Sequence, residues 1–279
     1  LIRIVSTETN LGGNDIINVK DGYNVVMAGF GADQVTGGVD GDVVVGDSGE
    51  VNFYTTGIIK DITTISPELG GVDIISVADG DNIVIGGFGA DQVTGGKDRD
   101  VVLGDNGNAS FTTAGVMTHI TTTQPDIGGD DIITVGNGFN VVLAGFGADQ
   151  VTGGADRDVV VGDSGEANFY TTGIIKDITT ISPELGGDDI ITTGDGDNIV
   201  LGGFGADQIT GGKDRDVVLG DNGNATFTTA GILTFITTTQ PGIGGNDIIN
   251  VADGFNVVLA GFGADQVTGG ADRDVVLGD

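Results

Sequence analysis

The string GFGADQ begins at Gly29, Gly87, Gly145, Gly203 and Gly261, a step of 58 residues each time. A chain of 279 residues that copies itself this closely folds as a stack of like units, each touching its neighbours, rather than around one central core. Two versions of the unit alternate. FYTTGIIKDITTISPELGG starts at Phe53 and again at Phe169, whereas FTTAG opens the matching stretch at Phe111 and Phe227, so the superperiod is 116 residues.

A shorter period lies inside each unit. From Gly12 the chain reads GGNDIINVK, DGYNVVMAG, FGADQVTGG and VDGDVVVGD, four nonapeptides, before the 22-residue block SGEVNFYTTGIIKDITTISPEL. Leu1–Leu11 aligns with Met117–Ile127, the tail of such a block, and Asp279 aligns with Asp47 at the end of a fourth nonapeptide. Neither end carries an atypical capping repeat, so residues 1–279 read as one continuous β-solenoid segment of a longer array.

Within a nonapeptide the core is Gly-x-Asp-x-apolar, as in Gly13-x-Asp15-x-Ile17, Gly31-x-Asp33-x-Val35 and Gly89-x-Asp91-x-Val93. Glycine permits the tight turn, the Asp carboxylate projects into it, and the apolar residue two positions later faces inward because strand side chains alternate. Such a short strand is stable only when stacked. Two nonapeptides make one flattened parallel coil, and the 22-residue block, with Ile58, Ile59, Ile62 and Ile65, is expected to make a wider third coil. About fourteen coils at roughly 4.8 Å give a rod on the order of 70 Å. The expected fold class is therefore all-β, a parallel β-solenoid with about three coils per unit.

Stacking places Asp15 over Asp33 and, on the opposite edge, Asn24 over Asp42. Carboxylates held so close repel unless a cation lies between them. Asp and Glu together number 41, of which five are Glu, and the short carboxylate suits calcium held in tight turns. The absence of Cys and the presence of one His argue against zinc. A net charge of −31 argues against nucleic acid and anionic membranes as partners, and no apolar run of membrane-spanning length or leader is visible. A mean hydropathy of +0.17 argues against disorder.

These residues resemble the RTX, or haemolysin-type, calcium-binding nonapeptide family, GGxGxDx-apolar-x. GGFGADQVT (86–94) fits at every defined position, and GGKDRDVVL (95–103) departs where Asp98 replaces Gly. The resemblance implies a parallel β-roll holding several Ca²⁺ ions. It places ligand carboxylates at Asp15, Asp73, Asp131, Asp189 and Asp247, at Asp33, Asp91, Asp149, Asp207 and Asp265, and at Asp42, Asp100, Asp158, Asp216 and Asp274. Uncharged and weaker positions are Asn24, Asn82, Asn140, Asn198 and Asn256. Asp47, Asp105, Asp163, Asp221 and Asp279 stand where the roll enters the wide coil and could add a ligand. Val51 and Ala109 occupy the ligand position inside that coil, so the ladder of ions is expected to break there.

No catalytic set can be assembled. The one histidine, His119, has Arg3 and Phe235 as register equivalents, so no shared chemistry follows. The runs NVVMAG and DVVVGD leave Val25, Met27, Val43, Val45 and their equivalents as an outward apolar stripe, expected to be covered by lateral association of rods or by the wide-coil segment. Homo-association, lateral or end to end, is the partner expectation. The functional expectation is a non-enzymatic, calcium-rigidified region of a secreted or cell-surface fibre, adhesin stalk or surface layer. The resemblance implies type I secretion. The alternatives are a C-terminal secretion module of a secreted hydrolase or toxin, and an ice- or glycan-binding surface suggested by Thr121–Thr123 and Thr237–Thr239.

Overall fold

The computed structural model describes residues 1–278. Three sheets lie in layers. Two have ten parallel strands each and form the two walls of a roll; the third has nine strands, all antiparallel. The outer wall is built from triplets such as Ile16–Asn18, Gln34–Thr36 and Ile74–Ser76, and the middle wall from Val25–Met27, Val43–Val45 and Ile83–Gly87. Each coil takes one strand from each wall. The all-β parallel roll is as expected from the nonapeptides.

The number of coils is not. The 22-residue block makes no coil. It leaves the roll as a hairpin, Gly49–Phe53 paired antiparallel with Ile59–Thr64, and returns at the same edge. The turn is Tyr54 to Gly57: the Gly57 N–H donates to the Tyr54 carbonyl at 2.9 Å, and Gly57 takes φ +88, which favours glycine. Successive hairpins pair edge to edge, Asn108 opposite Thr63 for example, and so build the third sheet. Arg3–Val5 joins that sheet against Gly49–Phe53. Each 58-residue unit thus holds two coils and one hairpin, and ten coils give a rod of roughly 45 Å rather than 70 Å.

The layering explains the valine runs. Val26, Val44, Val84 and Val102 pair in line down the middle wall and face the outer wall's Val35, Ile75 and Val93; all are buried. Their neighbours Val43, Val45, Ile85 and Leu103 face the other way and pack on Val51, Ile62, Ala109 and Ile120 of the hairpin sheet. Inside the stack the middle wall is buried on both faces, so the first three positions of each of its strands are apolar throughout. The stripe that includes Val25, Met27, Val43 and Val45 is therefore covered by this chain's own hairpins.

Asp40, Asp98, Asp156 and Asp214 stand where the repeat pattern has a glycine, and they adopt φ between +81 and +88. Asp tolerates this left-handed conformation better than most residues, which is how the departure from the pattern is accommodated.

Candidate metal centres

Because each Asp or Asn directly precedes a roll strand, stacking the strands stacks these side chains along the two edges where the chain turns between walls. On the first edge, one carboxylate follows another without interruption. The Asp15 N–H donates to Asp33 Oδ1 at 2.7 Å, the Asp33 N–H to Asp73 Oδ1 at 2.7 Å, and the Asp73 N–H to Asp91 Oδ1 at 2.7 Å. The series continues through Asp131, Asp149, Asp189, Asp207, Asp247 and Asp265. The ladder does not break at the 22-residue block. The hairpin is outside the roll, and Val51 and Ala109 belong to its core, so the coils on either side stack directly.

Each Asp uses one oxygen in this way. The other, Oδ2, is buried and has no hydrogen-bond partner at Asp33, Asp73, Asp91, Asp131, Asp149, Asp189, Asp207 and Asp247. An unpaired buried carboxylate oxygen is costly. It is aimed at a backbone carbonyl of the same edge: a Cβ added at Gly46 would strike both Asp73 Oδ2 and the Gly86 carbonyl oxygen. One at Gly104 would strike Asp131 Oδ2 and the Ala144 carbonyl. Two oxygens converging over a glycine are a donor set for a hard cation and make a poor neighbourhood for anything else.

The electrostatics agree. Burial, with the facing Asp33 carboxylate adding to it, pushes Asp73 up to about 7. Burial and Asp73 push Asp91 up to about 8. Burial, with Asp105, Asp149 and Asp91, drives Asp131 to about 11. Asp189 is raised well above the usual carboxylate range for the same reasons. A counter-charge along this edge would let all of them ionise.

The second edge alternates Asp and Asn. Asn82 shows why. Its Nδ2 donates to the Ala78 and Gly80 carbonyls, both at 2.9 Å, and to Asp100 Oδ1 at 2.8 Å, while its Oδ1 accepts from the Asp42 N–H at 2.9 Å. The amide NH₂ thus satisfies turn carbonyls and a carboxylate that a cation would otherwise satisfy. Asn140 and Asn198 repeat the arrangement, and Asn24 and Asn256 make most of it. On this edge, Oδ2 is left without a partner at Asp100, Asp158 and Asp216. Asp42 Oδ2 accepts from the Gly38 N–H at 3.1 Å, and Asp274 ends the series beneath Asn256.

Asp47 plays a different part. At the point where the hairpin leaves, its Oδ1 accepts from the Gly71 N–H at 3.2 Å and its Oδ2 from the Phe88 N–H. Asp105, Asp163 and Asp221 do the same for later hairpins. Both oxygens accept from backbone donors across the gap in the roll wall that the excursion opens, yet burial, with Asp73 and Asp91 adding to it, still pushes Asp47 up to about 9. Asp279 lies outside the described residues. His119 is on the hairpin sheet, with Nδ1 3.0 Å from Asn168 Oδ1.

The residues fit calcium. Where it binds, it would be held by the Asp ranks of the first edge, with turn carbonyls, and by Asp100, Asp158 and Asp216 on the second. Among the described residues no three acidic or histidine side chains converge as a metal group, so carbonyl oxygens must complete each site. The ion would supply positive charge between coils.

The family described as RTX calcium-binding nonapeptide repeat (4 copies) matches residues 10–49, 70–110, 127–160, 185–209, 192–227 and 241–276, more than half of the chain. The unmatched stretches fall largely in the hairpins. No catalytic family is matched, and neither a curated protein nor a solved structure matches the chain. No helix among the described residues is long and apolar enough to cross a membrane. With its ladders of stacked Asp turns and its two-walled roll, the chain belongs to the RTX calcium-binding nonapeptide repeat family.

Proposed function

We propose that this chain is a calcium-rigidified structural region of a secreted or cell-surface protein, such as a fibre, an adhesin stalk or a surface layer. The observation that carries the reading is the row of buried, unpartnered Asp Oδ2 atoms on the first edge. A chain with so many uncompensated carboxylates is held apart by their repulsion at neutral pH until a divalent cation binds, and binding energy then becomes folding energy. Calcium is scarce inside cells and plentiful outside, so this coupling keeps the chain soft before export and stiffens it afterwards. RTX repeats are typical of secreted proteins, which supports the same compartment. End-to-end stacking belongs to the reading. The strands Ile16–Asn18 and Val275–Leu277 keep the three-residue register of those inside the walls, so a further coil, from this polypeptide or another copy, would pair with them.

Circular dichroism and sedimentation with calcium and with chelator test the reading. Calcium is expected to convert an expanded chain into a compact rod. A fully folded rod after exhaustive chelation would overturn it.

A further inference from the structure

Among the places where the two halves of the superperiod differ is a turn beneath the hairpin sheet. In the second half, Arg157 lies under the rim of the hairpin sheet. Its guanidinium carbon is 5.6 Å from the centre of the Phe139 ring and 5.4 Å from that of Phe227. Its Nη1 donates to the Gly231 carbonyl at 3.3 Å. Moving back 116 residues, the two rings become Tyr23 and Phe111 and the carbonyl becomes that of Gly115, but the arginine becomes Gly41. The turn keeps two rings and a carbonyl but not its arginine, and Tyr23 stands 86% exposed where Phe139 is half-buried.

A groove of about 510 Å³ opens between Tyr23, Gly41, Ile58, Phe111 and Gly115, with Asp81 at its side. The matching groove beside Arg157 measures about 300 Å³. A Cβ at Gly231 would lie 3.4 Å from Arg157 Nη1, and one at Gly173, in the intervening hairpin, 3.5 Å from Arg99 Nη1. At Gly115 such a Cβ meets Ile58 alone. Two of these three hairpin turns are therefore covered by an arginine, and the third is not.

We propose that this groove is a docking site for an arginine side chain presented by a partner polypeptide. Two aromatic residues and a turn carbonyl suit a planar cation that stacks and donates in its own plane, which a guanidinium does and an ammonium does not. Asp81 and the net charge of −31 favour a cationic guest. That same charge opposes a second copy as the guest. Several of the chain's own arginines are also engaged: Arg157 in its groove, Arg215 with Asp197 at 3.1 Å and Arg3 with Glu50 at 2.5 Å.

The test is a titration of the calcium-loaded chain with the blocked tripeptides Gly-Arg-Gly and Gly-Lys-Gly and with free arginine, read by calorimetry and by the tyrosine NMR signals. The arginine peptide is expected to shift Tyr23 and to bind roughly tenfold more tightly than the lysine peptide. Tyr23→Ala and Gly41→Arg are each expected to remove that preference. Tyr23 is 86% exposed, so its replacement is expected to leave the fold intact, checked by circular dichroism in calcium. Gly41→Arg requires the backbone to move, because a Cβ there lies 2.5 Å from the Asp81 carbonyl oxygen and 3.4 Å from the Tyr23 ring, and if it fails to fold Tyr23→Ala decides alone. Equal affinity for the two peptides, or arginine binding unchanged in folded Tyr23→Ala, would overturn the proposal. Free arginine binding as tightly as the peptide would overturn the polypeptide partner, as would dimerisation without peptide that is lost in Tyr23→Ala.

Discussion

The backbone N–H of Asp33 donates to the Oδ1 of Asp73 at 2.7 Å, although 40 residues separate them along the chain. The bond from Asp15 to Asp33 has the same length across 18 residues. The ladder is thus indifferent to the hairpin that intervenes, and the chemistry of the edge can be treated as one continuous column.

Stability should depend on pH with opposite signs in the two metal states. Asp73, Asp91 and Asp207 titrate at about 7, 8 and 8 in the folded chain, above the ordinary carboxylate range. The folded state therefore binds more protons than the unfolded one, and their contribution is full below about pH 4 and lost as pH rises through 7 to 8. In chelator the melting temperature is expected to fall between about pH 5 and pH 8. With excess calcium it is expected to hold or rise, since the ion needs the ionised form. Thermal melts followed by circular dichroism check both arms.

Asp91→Asn and Asp47→Asn should act in opposite directions without metal. The first removes a buried charge whose Oδ2 has no partner, so it is expected to stabilise the chain in chelator and weaken calcium binding. The second places an NH₂ against backbone donors at Gly71 or Phe88. It is expected to cost about 1–3 kcal/mol in calcium and less in chelator, where losing a carboxylate that burial pushes up to about 9 offsets part of the loss. Chemical denaturation in both conditions separates the two.

Asn82→Asp converts one coil of the second edge to the chemistry of the first. The new carboxylate would face the Ala78 and Gly80 carbonyls and Asp100 Oδ1 without the amide hydrogens that now satisfy them. Lower stability in chelator and a higher calcium stoichiometry by calorimetry are expected.

Gly104→Ala should block a candidate cation position, because its Cβ would strike Asp131 Oδ2 and the Ala144 carbonyl; no atom lies within 4 Å of a Cβ at Gly242, whose equivalent 116 residues earlier is Asp126. Calcium affinity is expected to drop for Gly104→Ala and to be unchanged for Gly242→Ala.

Leu103 is fully buried between the middle wall and the hairpins. Leu103→Ala is expected to cost about 2–5 kcal/mol, read from denaturant midpoints in calcium.

The nonapeptides carried most of this in plain view. Their two-residue alternation dictates which valine faces inward, and their length sets Asp15 above Asp33 and Asn24 above Asp42. The valine runs at 43–45 signalled a strand covered on both faces. The hairpin was less legible. Its β-branched residues suit a wide coil and a hairpin equally, and the choice turns on Thr55-Thr56-Gly57, a turn set between two alternating stretches, Val51–Phe53 and Ile59–Ile62. The role of Asn82 depends on carbonyls of its own turn and a carboxylate one coil away, which no local pattern specifies. Gly41 differs from its repeats by a single letter, and its meaning appears only when the rings around it are in place.

The hairpins also bear on how such a rod would yield to tension. Neighbouring coils are separated by 18 residues where no hairpin intervenes and by 40 where one does. At about 3.4 Å per residue, peeling successive coils would pay out slack in alternating steps of roughly 60 Å and roughly 135 Å. The hairpins add nothing to the height of the stack. They store extensible length at its side, so a short rod can lengthen greatly before its tether is taut.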